Sequence, residues 1–274
     1  MWPMKISICI PTYNRANSLI NCLESLALNK NTSLIDFEVC ISDNFSNDNT
    51  ESVVNSFKNK LPIIYYKSPS NTGRVKNYLN VVNIATGDFI WLIGDDDLLL
   101  KNAIFEINRL ISSNNDVEFF YINSYCLESD YLMSFKHPFN MKNLPKNMPR
   151  FSSWNEEGKM KFLNLINPKI SYDFLGGMFL CVFKRENWQL NTNALNTKAI
   201  NDKREFSHFD NTFPHVKIFS RAFANSNAYF YSKPLTVNLS GIREWTSLSS
   251  LVESVRLIEA LDEFKLNGLS YFKY

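Results

Sequence analysis

Three consecutive aspartates, Asp95-Asp96-Asp97, come directly after Gly94 and the apolar segment Phe89 to Ile93. Adjacent carboxylates repel one another, and each costs free energy if it is buried away from water. A surface turn would carry them at little cost, whereas a divalent cation would relieve the repulsion. Hard ions such as Mg²⁺ and Mn²⁺ bind one or two carboxylates together with phosphates. Because ligands gather where buried parallel strands end, we favour the cation over the surface turn.

A cation at this point would neutralise the negative charge that develops when a bond to a diphosphate breaks. That chemistry fits the transfer of a sugar from a nucleotide-activated donor. It also fits nucleotidyl transfer, so the aspartates alone leave both reactions open. A nucleotidyltransferase would normally carry a glycine-rich basic loop after its first strand, and the segment found there is Pro11-Thr12-Tyr13-Asn14-Arg15.

This first turn offers other ways to hold a nucleotide. Thr12, Asn14 and the backbone amides before the next helix are hydrogen-bond donors, and Tyr13 offers a face for stacking. Pro11 lacks an N–H and predicts the end of strand pairing. Neither GxGxxG nor GxxxxGK[ST] is present, so neither a Rossmann dinucleotide site nor a P-loop is supported.

Two more polar segments follow predicted strands. Asp43 ends the second strand, where a carboxylate can accept a hydrogen bond from a base N–H or a ribose hydroxyl, although an isolated Asp there is more often a turn or a helix cap. Asn71-Thr72-Gly73-Arg74 precedes a helix. Gly73 permits a tight turn, and Arg74 could meet the nucleotide.

The elements that must position these residues alternate regularly over the first 125 positions. Apolar runs predict strands, and apolar residues at helical spacing predict the helices between them. This alternation is typical of a mostly parallel sheet with helices on both faces. The predicted strands are Lys5–Pro11, Phe37–Ser42, Pro62–Lys67, Phe89–Ile93 and Glu118–Asn123, and the predicted helices cover Ala16–Ala27, Val53–Phe57, Arg74–Ala85 and Ala103–Ile111.

The second half of the chain is less regular. Leu127 to Trp154 is rich in Asn, Lys, Pro and Ser and is interpreted as a long surface loop. The remaining patterns predict strands at Met178–Lys184 and Ala228–Ser232, and helices at Thr212–Ala224 and Leu248–Leu266.

Composition excludes several classes of protein. The formal net charge is only +2, which gives no reason to expect nucleic acid binding. The five cysteines form no CxxC pair, and we expect buried thiols in a reducing cytoplasm. We expect no signal peptide, and no run of 18 apolar residues predicts a membrane span.

Taken in order, IPTYNR, a strand ending in SDN, NTGRVKN and GDFIWLIGDDD resemble glycosyltransferase family 2, over roughly residues 4 to 125. The resemblance implies the GT-A fold, a Rossmann-like, mostly parallel sheet flanked by helices, here with C-terminal helical additions. It also implies an inverting, metal-dependent reaction, in which an acceptor hydroxyl attacks the sugar of a nucleotide diphosphate donor. The two alternatives left open are a nucleotidyltransferase and a binding module without catalysis.

The family's site residues carry over to matching positions. The DxD-type motif corresponds to Asp95–Asp97, which implies that Asp97 contacts the Mg²⁺ or Mn²⁺ ion, with Asp95 beside it. Many members have Asp-Ser-Asp-Asp after the strand, so Gly94 leaves open which of Asp95 and Asp96 plays the second role. The residues expected to bind the donor nucleotide are Pro11, Thr12, Tyr13, Arg15, Asp43, Asn71, Gly73, Arg74, Asp95 and Asp96.

Within the family, IPTYNR together with GDDD is most similar to the abequosyltransferase-type members. These build O-antigen side branches of lipopolysaccharide from nucleotide-activated deoxysugars. The resemblance therefore implies a deoxyhexose donor and a lipid-linked glycan acceptor, and it suggests an enzyme in the cytoplasm or at the inner face of the cell membrane.

The second half should supply the acceptor site and the general base. The family's Glu-Asp pair is absent, and the matching region is Phe206 to Asn211. Asp210 is the first choice for the base because it precedes a predicted helix, although a helix N-cap is an equally good interpretation. His208 is the second choice, followed by Asp202 or Glu205. His137 and His215 are interpreted as structural or solvent-facing, with a metal-ligating His215 as the minor alternative.

Two glycine-bearing segments complete the candidate acceptor residues. Gly176 and Gly177 precede the predicted strand Met178–Lys184, and paired glycines allow close backbone approach. Arg243 and Trp245 follow the last strand, where they could reach a diphosphate and a sugar face. Simple turns or ordinary packing are the competing interpretations of both segments.

The chain is accordingly divided into three parts. Residues 1–125 form the nucleotide-sugar-binding half, residues 126–247 the acceptor-binding half of the same domain, and residues 248–274 a C-terminal amphipathic helix. We expect this helix to pack on the main domain. The alternative is peripheral contact with a membrane surface or a partner.

Overall fold

The computed structural model of the chain describes residues 4–29, 35–204, 206–241 and 249–270. Its strands are β1 (Ile6–Thr12), β2 (Phe37–Asp43), β3 (Ile63–Lys67), β4 (Phe89–Leu92), β5 (Leu98–Leu99), β6 (Val117–Glu128), β7 (Gly158–Lys161), β8 (Cys181–Lys184) and β9 (Asn227–Ser240).

The helices lie mainly between these strands, and several are single turns. They are α1 (Ala16–Ala27), α2 (Thr50–Phe57), α3 (Arg74–Asn83), α4 (Ala103–Ser113), α5 (Ser129–Met133), α6 (Asp173–Gly176), α7 (Arg185–Asn191), α8 (Thr197–Ile200), α9 (Phe209–Thr212), α10 (Pro214–Ala222) and α11 (Ser249–Leu266).

All the strands belong to one sheet, in the order β3-β2-β1-β4-β8-β6-β9-β5, with β7 paired to β9. The first four strands of this order run parallel. Beyond them, β8 lies antiparallel to both β4 and β6, while β6 and β9 are parallel. The predicted α/β class, with a central sheet flanked by helices, is confirmed, and the sheet is parallel in its first half and mixed in its second.

The apolar runs form strands because helices cover both faces of the sheet. Successive side chains of a strand point to opposite faces, so a strand covered on both sides must be apolar throughout. In β1, Ile8 and Ile10 pack into one core cluster with Leu23 of α1. Cys9 faces the other cluster, with Val81 of α3. The apolar residues whose spacing predicted α1 and α3 are thus the residues that pack against the sheet.

The prediction that Pro11 ends strand pairing was wrong. Pro11 and Thr12 still pair with Ser42 and Asp43 of β2. On its other edge β1 pairs with β4 only as far as Cys9. Pro11 has no N–H to donate, but the β1–β4 pairing ends before Pro11, so no hydrogen bond between these strands is lost.

Three predicted elements in the second half differ from the structure. Met178–Leu180 is a 3₁₀ turn, and only Cys181–Lys184 is strand. The predicted helix from Thr212 is broken at Phe213, since the residue before a proline is disfavoured in the helical region. The predicted surface loop starts inside β6, which ends at Glu128; it also contains the short helix α5, and its Phe139 is buried.

Gly87 lies where two strands approach closely, and it allows a test of this packing. A Cβ at Gly87 would lie 2.6 Å from Ser7 Oγ and 2.8 Å from Ser7 N. We expect Gly87→Ala to lower the free energy of unfolding by about 1–3 kcal/mol, the usual cost of overpacking, in denaturant titration. Gly176→Ala is the matched control, because a Cβ there meets no atom within 4 Å. Equal stability of the two variants would contradict this account of the packing.

Candidate active site

The three aspartates after β4 are buried, with exposed fractions of 6% for Asp95, 2% for Asp96 and 1% for Asp97. A surface turn is therefore the wrong interpretation of this segment. The chain turns sharply at Gly94, where a Cβ would lie 2.5 Å from an Asp96 carboxylate oxygen. Gly94 is the residue that lets the carboxylates fold back over the end of the strand.

Arg15 compensates part of this buried negative charge. Its Nη1 lies 2.9 Å from Asp96 Oδ2 and 3.4 Å from Asp95 Oδ1. Burial disfavours the guanidinium cation, but the two carboxylates outweigh it and raise the pKa of Arg15. The Thr12 hydroxyl donates to Asp95 Oδ2 at 2.7 Å. The first turn and the aspartates, which the sequence places about 80 residues apart, are thus one polar cluster.

Asp97 is held from a third direction. Its Oδ2 accepts from the Gly94 backbone N–H at 2.6 Å, and its Oδ1 accepts from Asn238 Nδ2 at 2.9 Å. Asn238 lies in β9 and is itself buried. Sequence reasoning missed Asn238, because a single Asn within an apolar strand carries no motif.

Asp43 lies where the sequence predicts, at the end of β2, and is fully buried. Its Oδ1 accepts from the Ser46 N–H at 2.7 Å, and its Oδ2 accepts from the Tyr65 hydroxyl at 2.7 Å. Burial, followed by this hydrogen bond to Asp43, raises the pKa of Tyr65. Tyr65, in β3, is a second residue at this edge that the sequence did not single out.

The loop before α3 is held by amide side chains. Asn71 Oδ1 accepts from Asn44 Nδ2 at 2.9 Å and from the Gly73 N–H at 3.0 Å. Gly73 has a φ of 91°, a conformation that favours glycine. Arg74 donates to the Asn211 carbonyl at 2.9 Å, and so connects this loop to the segment that carries Asp210.

Asp210 is buried, with an exposed fraction of 4%. Its Oδ2 accepts from the Asn196 N–H, and Lys217 Nζ lies 2.9 Å from Oδ1 and 3.1 Å from Oδ2. Lys217 Nζ also lies 3.5 Å from a carboxylate oxygen of Glu263 in α11. These contacts fix the position of the Asp210 carboxylate next to Asn211.

The other base candidates lie nearby on the same segment. His208 is about half exposed, and its Nε2 is 3.3 Å from Asp202 Oδ2. Hydrogen bonds from the Arg204 side chain and backbone lower the pKa of Asp202. Glu205, Arg243 and Trp245 lie outside the described residues.

The two glycines before β8 differ in their surroundings. Gly177 is buried, and a Cβ there would lie 2.7 Å from the Asp173 carbonyl and 3.1 Å from the Tyr121 hydroxyl. Gly176 is exposed and open on the side where a Cβ would lie. The turn that follows is tied to the central strand, since Trp91 Nε1 donates to the Phe179 carbonyl at 3.1 Å.

His137 and His215 are held by contacts typical of structural residues. His137 Nδ1 pairs with the Asn21 side chain, and the same side chain accepts from the Phe139 N–H at 2.8 Å. His215 is buried among aromatic residues, and burial lowers its pKa to about 4.

The side chains of Asp95–Asp97 offer only carboxylate oxygens to a cation. These oxygens are the ligands that Mg²⁺ and Mn²⁺ prefer. Across the described residues, no three His, Cys, Asp or Glu side chains converge on one point as a complete protein cage. An ion that takes only one or two carboxylates and completes its shell with substrate phosphates and water needs no such cage.

Comparison with known proteins shows the family. Residues 7–184 match the family described as Glycosyl transferase family 2. The chain is 27% identical to abequosyltransferase RfbV of Salmonella typhimurium, over 97% of this chain and 77% of that protein. It is 29% identical to poly(ribitol-phosphate) beta-N-acetylglucosaminyltransferase TarS of Staphylococcus aureus, over 41% of this chain and 20% of that protein. The chain thus spans most of one relative and only a small part of the other.

Solved structures agree on the fold. The structure of S. aureus TarS residues 1–349 with UDP-GlcNAc superposes with a TM-score of 0.65 at 19% identity, covering 98% of this chain and 73% of that chain. A mannosyltransferase from Pyrobaculum calidifontis, solved with GDP-Man and Mn²⁺, gives a TM-score of 0.58 at 14% identity, covering 96% of this chain and 64% of that chain. With the family match over 7–184 and the GT-A architecture in place, the chain belongs to glycosyltransferase family 2.

Proposed function

We propose that this protein is an inverting, metal-dependent glycosyltransferase that moves a sugar from a nucleoside diphosphate donor to a hydroxyl of a glycan acceptor. The observation that carries the proposal is the buried cluster of Asp95, Asp96 and Asp97, bonded to Thr12 and Arg15 at the carboxyl end of the parallel strands. A cluster at that edge fits a site for a charged, phosphate-bearing ligand.

The diphosphate of the donor, which is the leaving group, binds at this cluster in the proposed complex. Asp97 and Asp95 would hold a Mg²⁺ or Mn²⁺ ion, which when bound supplies positive charge to the departing diphosphate. Arg15 supplies a further, fixed cation at the same edge, and Thr12 orients Asp95. The Gly94 N–H and Asn238 orient Asp97. The donor half is residues 1–125, where these groups and Asp43, Asn71, Gly73 and Arg74 lie.

The acceptor half is residues 126–247, and its base is Asp210. The acceptor hydroxyl attacks the anomeric carbon from the face opposite the diphosphate, and Asp210 takes its proton. Lys217, 2.9 Å away, fixes the position of the Asp210 carboxylate. Gly176 and Gly177, with Arg243 and Trp245 beyond the last strand, complete the acceptor side of the proposal.

The 27% identity to an abequosyltransferase supports a deoxyhexose as the transferred sugar and a lipid-linked O-antigen intermediate as the acceptor. Because such an acceptor is membrane-bound, we place the enzyme in the cytoplasm, at the inner face of the cell membrane. None of the described helices is both long and apolar enough to cross a membrane. The membrane contact that we propose is peripheral, through α11 (within residues 248–274).

The role of the acidic cluster can be tested with Asp97→Asn, which keeps the side-chain shape and removes the charge. We expect transfer, measured as release of free nucleoside diphosphate in the presence of Mn²⁺, to fall by roughly 10²–10³-fold, the usual effect of removing a group that stabilises a leaving oxyanion. Asp116→Asn is the control, because Asp116 is an exposed carboxylate paired with Lys159. Turnover of Asp97→Asn at the wild-type rate would exclude the metal role, and release of pyrophosphate instead would indicate nucleotidyl transfer.

A catalytic role of Asp210 can be distinguished from a purely structural one by replacing both Asp210 and its ion-pair partner Lys217. We expect Asp210→Asn to lower kcat by roughly 10²–10⁴-fold without changing donor affinity, since general-base catalysis contributes about that much. If Asp210 served only to neutralise Lys217, the double variant Asp210→Asn/Lys217→Met would regain activity. If Asp210 is the base, we expect the double variant to remain as inactive as Asp210→Asn alone. Loss of activity in His208→Gln, with Asp210→Asn active, would move the role to His208.

Peripheral contact can be tested on the exposed apolar residues of α11. Leu251, Val255 and Ile258 are 65%, 54% and 67% exposed, whereas Phe264 is buried in the core. We expect replacement of all three exposed residues by Ser to abolish co-flotation with phospholipid vesicles. Leu190→Ser, an equally exposed leucine in α7, should leave flotation unchanged. Flotation of the triple variant at the wild-type level would refute the contact.

A further inference from the structure

Residues 131–155, here called the basic segment, contain four cationic side chains and no acidic one: Lys136, Lys142, Lys146 and Arg150. Of the 29 Lys and Arg residues of the chain, the other 25 are outnumbered by the 27 Asp and Glu residues, all of which lie outside this segment. The small positive charge of the whole protein therefore comes from the basic segment.

The four cations face solvent without carboxylate partners. All four residues are exposed. Among the residues that the structure describes, no Asp or Glu oxygen lies within 4.0 Å of any of these four charged groups. Their charge is thus available to an external anion.

The basic segment is fixed to the rest of the fold. The Phe139 N–H donates to the side chain of Asn21 in α1 at 2.8 Å, and the Phe139 ring is buried. Further along, the Pro149 carbonyl accepts from the N–H of Cys126 in β6 at 2.8 Å. The cations are therefore displayed on an ordered surface, and little conformational entropy is lost when that surface binds a partner.

The basic segment lies beside the acidic cluster. Phe139 packs in one apolar cluster with Leu98 of β5 and Val237 of β9. Leu98 directly follows Asp97, and the next residue of β9, Asn238, donates to Asp97. A partner that binds the basic segment would therefore lie next to the edge of the sheet that carries the candidate active site.

The surroundings of the cations favour a bilayer over nucleic acid. Proteins hold single-stranded nucleic acid by stacking its bases on exposed aromatic rings as well as by charge. No aromatic residue of the basic segment is exposed, and Tyr131 and Phe135 pack against the buried Phe139. Met133, in contrast, is 63% exposed, three residues before Lys136. Cations beside an exposed apolar side chain are typical of contact with anionic lipid headgroups.

We propose that Lys136, Lys142, Lys146 and Arg150 form a docking surface for an anionic phospholipid bilayer. The contact is electrostatic, and so differs from the apolar contact through α11, which does not depend on lipid charge. Docking through the basic segment turns the edge that carries the acidic cluster toward the bilayer. The benefit of that orientation rests on the proposed function, since a lipid-linked acceptor would be held in the same bilayer.

The docking surface can be tested by sedimentation with vesicles of phosphatidylcholine alone or mixed with phosphatidylglycerol. We expect the wild type to partition onto the anionic vesicles roughly 10²–10³-fold more strongly than onto the neutral ones, since each cation near an anionic surface contributes about five-fold. Raising the salt concentration should reduce this preference, because salt screens exposed charges. Partition onto anionic vesicles should fall to the neutral level in the quadruple variant Lys136→Gln/Lys142→Gln/Lys146→Gln/Arg150→Gln.

The matched control replaces three exposed lysines and one exposed arginine outside the basic segment, as Lys58→Gln/Lys161→Gln/Lys198→Gln/Arg221→Gln. The two quadruple variants lose the same number of charges, so a difference between them reports where the charges lie. We expect the control to partition onto anionic vesicles within a few-fold of the wild type.

Equal losses in the two quadruple variants would overturn the docking surface, and so would wild-type partition that ignores lipid charge. Tighter binding of the wild type to a single-stranded oligonucleotide than to anionic vesicles would also overturn it, by assigning the cations to nucleic acid. These outcomes concern the docking surface only and leave the proposed function standing. A wild type that docks as expected but releases no nucleoside diphosphate would support the docking surface and overturn the proposed function.

Discussion

The structure depends on one electrostatic arrangement: a buried group of carboxylates at the end of β4, compensated by the guanidinium of Arg15. Buried charges are tolerated only when they are paired and hydrogen-bonded. Arg15 reaches both Asp95 and Asp96, while Thr12 and Asn238 donate to the outer carboxylates. The first turn, the central strand and the last strand must therefore come together at this point, and the sheet order that brings β1 beside β4 is the order that permits it.

The loops after β2 and β3 are bonded to each other by amide side chains, as Asn44 and Asn71 show. The segment that carries Asp210 is held by charged side chains, with Lys217 between Asp210 and Glu263. Arg74, at the start of α3, donates to the Asn211 carbonyl. The Asp210 segment is thus held both from the loop before α3 and from α11.

The first half of the fold could be predicted from the sequence, because its strands and helices follow each other closely and each apolar pattern has one period. Thr12, Arg15 and Asp95 could be placed at one edge for the same reason. Asn238 and Tyr65 could not, since each acts through a contact with a distant strand and neither belongs to a motif. The break at Phe213 was also missed, because Pro214 fits a first helical turn as well as a break. Carboxyl-end loops are predictable from topology, whereas partners supplied by remote strands are not.

The bond from Asn238 to Asp97 spans 141 residues of chain. A polypeptide emerging from the ribosome would hold the complete acidic motif long before the strand that steadies it has been synthesised. Such remote pairings form late and slowly, because a long loop must close before the contact contributes anything. The growing chain would therefore hold Asp97 through its local bond to Gly94 while the next 141 residues are added, and would gain the bond from Asn238 only when β9 enters the sheet.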